Sequence, residues 1–404
     1  MKKLILTTLA LALALPAVAQ KKAKKDEPKE AQGYVFTDIK VNPITDVRNQ
    51  ARSGTCWCFS TMAVLESDAL KHGKAEQNID LSEMWVVRHA YLEKILKYVR
   101  MHGKAELGQG GNSHDVPNMI EKYGIVPESV YPGLNYGTDS HVHGEVDGVL
   151  KAYADVIVSN PNRTISTAWI DGVEGILDAY FGKRPDTFEI DGKTYTPRSY
   201  AEELGLKNSD YIDVTSFTHH PFGEMFALEI PDNWAWGLSY NVPVDDMMAI
   251  LDEVLENGYT VGWGSDVSEK GFAYTKGFAV LPETDIKAMD NNEQQRWVAL
   301  TPAERDAQMY KFDKPVPEKK VTQEMRQEMF DNYTTTDDHG MQIFGIAKDQ
   351  NGNKFYKVKN SWGTSQLYGG CFYVSAPFVA AKTTNLNFNK NALSQATRDK
   401  FGIK

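Results

Sequence analysis

The stretch "NQARSGTCWCFS", residues 49–60, places Cys56 and Cys58 one residue apart, and the only other thiol in the chain is Cys371. A bridge between Cys56 and Cys58 would be badly strained. Three cysteines also cannot build the dense, even framework of a small exported disulfide scaffold. What the placement does allow is nucleophilic chemistry. Only a thiolate attacks a carbonyl efficiently, and a helix N-terminus lowers a thiol pKa through its unpaired N–H groups and partial positive charge. Phe59, Met62, Ala63, Leu65 and Leu70 fall on helical spacing and Gly73 reads as a stop, so Cys56 is expected at or near a helix start and Cys58 on the packed side. Gly54 lets a substrate backbone approach. Gln50, six residues before Cys56, can bring a side-chain amide beside the thiol. With the Cys56 N–H it would form an oxyanion hole, roughly 2.7–4 kcal/mol per donor.

A base must come from elsewhere, and nine histidines are available. His339 is set apart by its surroundings: "TTDDHGMQIFGI" leads into late strands and "KNSWG" lies on the next one. Asn360 would hold the His339 ring by a hydrogen bond and fix its tautomer, and Trp362 would cover that bond. On the residues alone this Cys–His–Asn set is one of several pairings that can be drawn. His141 and His143 in "HVH" lack an evident third metal partner, and His219–His220 is a similarly weak signal, so no metal and no cofactor is expected. Cys371, beside Phe372 and Tyr373, reads as core, and Trp234 and Trp236 as core or cleft-wall aromatics. G-x-S-x-G, H-E-x-x-H and P-loop patterns are absent from the sequence, which leaves serine hydrolase, zincin and NTPase readings without support.

The elements that must position these residues follow in order. "MKKLILTTLALALALPAVAQ" has a basic start, a short apolar core and a small-x-small site, so residues 1–19 read as a secretory signal peptide. Residues 20–35 read as a disordered linker and residues 36–404 as the folded domain. "LSEMWVVRHAYLEKILKYV" is a second amphipathic helix with Ser82 as cap, and "GQGGNSHDVPNMIEKYGIVPESVYP" a glycine-rich loop, short helix and proline-marked turn. Residues 133–240 are mixed, with a charged helix near 146–157 and strands toward 211–230. "PVDDMMAILDEVLENGYTVGWGSDV" reads as a capped helix ending at Gly258 and entering a strand. Residues 282–320 read as a polar surface excursion, and the last part as strands with a hairpin at Asn351-Gly352. Helices first and strands late give an α+β protein with two lobes. The chain has 404 residues, 42% of them hydrophobic, enough for a sizeable core. Its net charge of −10 becomes more acidic still once Lys2 and Lys3 leave with the leader, which disfavours nucleic acid as a partner. No apolar run after the leader is long enough to span a bilayer, so the mature chain is expected in a periplasm or outside the cell, with no membrane attachment.

"DVRNQARSGTCWCFS" resembles the nucleophile segment of papain-like cysteine peptidases, and "DLSE", "GQGG", "DHGM" and "NSWG" follow in the family's order. The resemblance is closest to the bleomycin hydrolase and aminopeptidase C branch, to which "LSEMWVVRHAYLEKI", "GGNSHDVPNMIEKYGIVPESVYP" and "VGWGSDVS" are also similar. It implies a papain-like two-lobed fold, one lobe helical and one strand-rich and barrel-like, with insertions. It implies Cys56 as nucleophile, Gln50 as oxyanion donor, His339 as general base and acid paired ionically with Cys56, and Asn360 as orienter, with Gly110 and Gly111 pairing with an extended peptide. Where papain carries a bridged cysteine, this chain has Ser53. The stretch between Gln20 and Cys56 is too short for a long inhibitory pro-segment, which suits the branch. The branch uses a C-terminal arm whose carboxylate captures the substrate's amino group; here the arm reads as short, which leaves an endopeptidase or dipeptidyl-cleaving enzyme as the alternative to an aminopeptidase. A catalytically silent binding protein is the third reading. The branch also implies a hexamer.

Overall fold

The cysteine marked by the sequence opens the central helix. In a computed structural model, which describes residues 33–285 and 300–404, α1 runs from Cys56 to Lys71 and is buried from Trp57 through Ala69. A helix buried on all sides must lie between two layers, and α1 does. On one side α2 (Glu83–Arg100), α3 (Asp115–Tyr123), α4 (Gly144–Val158), α5 (Ala168–Phe181) and α6 (Pro197–Leu204) build the first apolar core. Ser82 caps α2 as expected, its Oγ accepting from the Trp85 N–H at 3.0 Å. On the other side lies a sheet.

The strands, in chain order, are β1 (Phe36–Val41), a small outlying hairpin of β2 (Phe188–Ile190) and β3 (Lys193–Tyr195), then β4 (Tyr211–Thr215), β5 (Met225–Ala227), β6 (Leu238–Asn241), β7 (Val261–Ser265), β8 (Phe272–Ala273), β9 (Phe278–Ala279), β10 (His339–Asp349), β11 (Lys354–Lys359), β12 (Cys371–Ser375) and β13 (Thr383–Asn389). Apart from the hairpin they share one sheet, in the order β5-β6-β4-β13-β7-β10-β11-β12-β9-β8, with β1 alongside β10. β10 is the most fully paired strand. β7 covers His339–Ile343, β1 covers Gly345–Asp349, and β11 runs along the other edge. The turn at Asn351-Gly352 is present: Gly352 takes φ +87°, and Asp349 Oδ1 accepts the N–H groups of Asn351 and Asn353. Helix α7 (Val244–Glu256) packs on the sheet and closes the second core around Trp263, Ile343, Tyr356 and Phe388. Its cap comes from far along the chain, since the Val244 N–H donates to Gln323 Oε1 at 2.8 Å. The amide of Gln342, on β10, joins the layers: its Nε2 lies within 3.0 Å of the Ala63 carbonyl, Ser67 Oγ and Thr260 Oγ1.

The α+β, two-cored architecture matches the expectation. Several local readings need correction. The linker assigned through residue 35 ends earlier, because the Tyr34 ring packs on Phe278 at 4.4 Å and Val35 donates to Gln350. Helices α5 and α6 lie in a stretch read only as mixed. Cys371 is half-exposed where core was expected, because it begins a strand next to an irregular turn. Trp236 is 58% exposed, in a left-handed conformation at φ +61°. The leader, residues 20–32 of the linker and residues 286–299 of the polar excursion lie outside the described residues. Among the described residues no helix is long and apolar enough to cross a membrane.

Candidate active site

Thr55 precedes α1 but leaves it uncapped. Its hydroxyl sits 2.6 Å from Ser53 Oγ and makes no bond to the helix. The Cys58 and Phe59 N–H groups donate to the Thr55 carbonyl, at 2.9 and 3.2 Å. Those of Trp57 and Gly340 face the Cys56 sulfur. Cys58 turns the other way, fully buried, its Sγ 3.4 Å from the Glu83 carbonyl. Both thiols are free. Gln50 is buried and held at both ends of its amide. Its Oε1 accepts from the Ser361 hydroxyl at 2.6 Å and its Nε2 donates to the Ser53 carbonyl at 2.7 Å. A primary amide has two N–H donors, so one is left over.

His339 begins β10, buried, and its Nε2 lies 2.8 Å from Asn360 Oδ1. That oxygen also accepts from the Ser361 N–H at 2.7 Å. It is an acceptor, so the imidazole proton is on Nε2 and Nδ1 is the basic nitrogen. Trp362 stacks on the ring at 4.6 Å and 27°. Gly340 shows how closely β10 meets α1: a Cβ there would fall 2.8 Å from Ser60 Oγ and 3.3 Å from the Cys56 carbonyl oxygen. Cys56 and His339 line one recess. Burial pushes the Cys56 thiol up to about 12, against the pull of the Gly340 and Trp57 N–H groups, and pushes the His339 imidazole down to about 4. Desolvation thus works against the expected thiolate–imidazolium pair.

The glycine-rich loop is fastened to this segment by Gln109. Its Oε1 accepts from the Gly54 N–H at 2.8 Å and its carbonyl accepts from Trp57 Nε1 at 3.1 Å. Gly111 lies against the Trp57 ring, and a carboxyl group, that of Asp232, fills the space where Gly110 has no side chain. Asp232 and Asp337 line the recess with Cys56 and His339. Sequence reasoning passed over both; the only signals were an aspartate in "IPDNWAW" and a pair of them directly before His339. Trp234 is buried, its Nε1 donating to Asp115 Oδ2 at 2.7 Å. His143 packs on Phe181, edge to face. His219 and His220 do acquire a third neighbour, Glu229, whose carboxylate oxygens lie 3.0 and 2.8 Å from their Nε2 atoms. These hydrogen bonds account for that cluster.

A model described as papain family cysteine protease matches residues 36–163, the part of the chain that carries Cys56, Gln50 and the glycine loop. Over that stretch the chain is similar to the papain-type cysteine peptidases. The chain is 24% identical over 380 residues to aminopeptidase G of Lactobacillus delbrueckii subsp. lactis, a match covering 82% of this chain and 78% of the relative. With aminopeptidase C of Streptococcus thermophilus the identity is 23% over 396 residues, covering 86% and 81%. Its fold matches the crystal structure of PepW from Lactobacillus rhamnosis with a TM-score of 0.63, over 90% of this chain and 84% of that one, at 20% identity.

Proposed function

We propose that this peptidase is an exported thiol aminopeptidase acting on peptides through Cys56, His339, Asn360 and Gln50. The observation that carries the reading is the single recess lined by Cys56 and His339, with His339 held by Asn360. His339 Nδ1 takes the thiol proton as the sulfur attacks the carbonyl carbon. The carbonyl oxygen, now negative, is held by the Cys56 N–H and the spare N–H of Gln50. The imidazolium, steadied by Asn360, gives its proton to the departing amine as the C–N bond breaks. Water, deprotonated by the same imidazole, hydrolyses the thioester and restores the thiol. None of these steps uses a metal or organic cofactor. The leader-like pattern of residues 1–19 supports export to a periplasm or beyond, and a hexamer rests on family resemblance alone.

Replacing Cys56 by Ala is expected to abolish peptide hydrolysis and covalent labelling by a thiol-alkylating epoxide. Turnover that survives the substitution and ignores the epoxide would overturn the mechanism. Acetylated peptides separate the two specificities: an aminopeptidase spares them, whereas an endopeptidase cuts them.

A further inference from the structure

An extended peptide reaching Cys56 needs the backbone edge of Gly110 and Gly111, and that edge is already covered. The Asp232 carboxylate occupies the space beside Gly110, and the Gly111 N–H faces it. Asp337, two residues before His339, meets Asp232 across the recess and faces its backbone N–H. Asp337 Oδ2 is buried without a hydrogen-bond partner. Lys94 is the nearest cation to Asp232, but its ammonium is committed to the carbonyls of Gly108 and Gly110. Because His339 must face the departing amine, the acyl half of the substrate lies on the other side of Cys56, toward the glycines. A chain extending further in that direction would collide with Asp232. A residue that ends there, in a charged amino group, would instead meet two carboxylates.

We propose that Asp232 and Asp337 form the receptor for the substrate's free α-ammonium group, so that the enzyme accepts one residue ahead of the bond it cuts. This rests on the thiol peptidase reading given above. An ammonium offers three donors on a compact charge; it can bridge both carboxylates and satisfy the unpartnered oxygen. Burial pushes both carboxyls up, with Glu106 and Asp115 adding repulsion at Asp232 and Asp232 adding it at Asp337, the condition that an arriving cation relieves. Residues 390–404 do not line the recess, and the carbonyl of Lys404 accepts from Lys390 Nζ at 2.7 Å. Asp232 and Asp337 are the carboxylates among the residues that line the recess.

The test compares kcat/KM for a leucyl anilide, its N-acetylated form and an N-acetylated lysyl anilide, on full-length enzyme whose sites are titrated with the epoxide. The wild type should prefer the free leucyl substrate. Asp232→Asn and Asp337→Asn should each cut the free-to-acetylated ratio roughly 10–100-fold, the range of a lost charge-assisted bond. The loss should appear mainly in KM, and leucinamide should protect wild-type Cys56 from alkylation better than it protects either variant. Asp232→Glu, which keeps the charge, should restore part of the ratio. An unchanged ratio with normal labelling would overturn the inference, as would a ratio that holds while all substrates speed up, the mark of a mere cover. A wild-type preference for acetyl-lysyl over acetyl-leucyl substrate that the variants abolish would assign the pair to a side-chain ammonium and also overturn it. Failure of the parent reading looks different: no epoxide labelling and no thiol-dependent turnover of any of the three.

Discussion

In the proposed mechanism Asn360 touches the reaction only through His339, so removing it measures how much the ring's support contributes. The bond from His339 Nε2 to Asn360 Oδ1 is 2.8 Å long and buried. In the resting enzyme it joins two neutral groups and is worth about 0.5–1.5 kcal/mol net; once the ring is protonated it becomes charge-assisted and is worth about 1.5–3 kcal/mol. Only the difference lowers the barrier. That difference is about 1–1.5 kcal/mol, so Asn360→Ala should reduce kcat about 5–15-fold. The reduction stays modest because Trp362 still stacks on the ring. The pH profile supplies an independent check. The Asn360 bond raises the His339 pKa while burial, the larger influence, lowers it to about 4. Losing the bond lowers that pKa further. Catalysis needs the neutral ring and is lost as pH falls through its pKa, so the acid limb of kcat/KM should move to lower pH in Asn360→Ala. Asn360→Asp, which adds a negative charge, should move it upward. Steady-state kinetics from pH 3.5 to 8 on epoxide-titrated enzyme would show both effects. A kcat within twofold of wild type together with an unmoved acid limb would refute the assignment.

Gln50→Ala removes an oxyanion donor while leaving Ser361 and Ser53 in place; kcat should fall about 10²–10³-fold with little change in KM, read by initial rates. The carboxylates of Asp232 and Asp337 both raise the Cys56 thiol, so Asp337→Asn should shift the pH dependence of iodoacetamide alkylation toward lower pH; a shift upward would contradict the electrostatic account. Arg326 is fully buried, and its guanidinium serves the carbonyls of Ser216, Ala380 and Thr383, with Phe217 beneath it at 4.5 Å. Arg326→Leu strands those acceptors and should cost about 3 kcal/mol or more in denaturant unfolding.

The sequence made Cys56, Gln50, His339 and Asn360 legible for different reasons. Helical spacing after Cys56 and the stop at Gly73 are local signals, and α1 follows them. The Ser82 cap and the Asn351-Gly352 turn are equally local. His339 and Asn360 could be joined only because two late strands read as neighbours. Asp232 and Asp337 were not legible, because nothing local distinguishes an aspartate in a surface turn from one folded into a recess; more than one hundred residues separate them. The same holds for Gln323, whose cap on α7 depends on tertiary contact. The ionic form of the Cys56–His339 pair was expected from chemistry that ignores desolvation, which pushes the thiol up and the imidazole down.

The amide of Gln342 ties the start of β10 to the middle of α1, several turns below the sulfur. The cysteine-bearing helix is thereby anchored in the interior, while Asp232 sits in a turn and Asp337 in a loop. Because both carboxylates also raise the Cys56 thiol, a change at either position would alter the reacting sulfur together with the shape and charge of the recess.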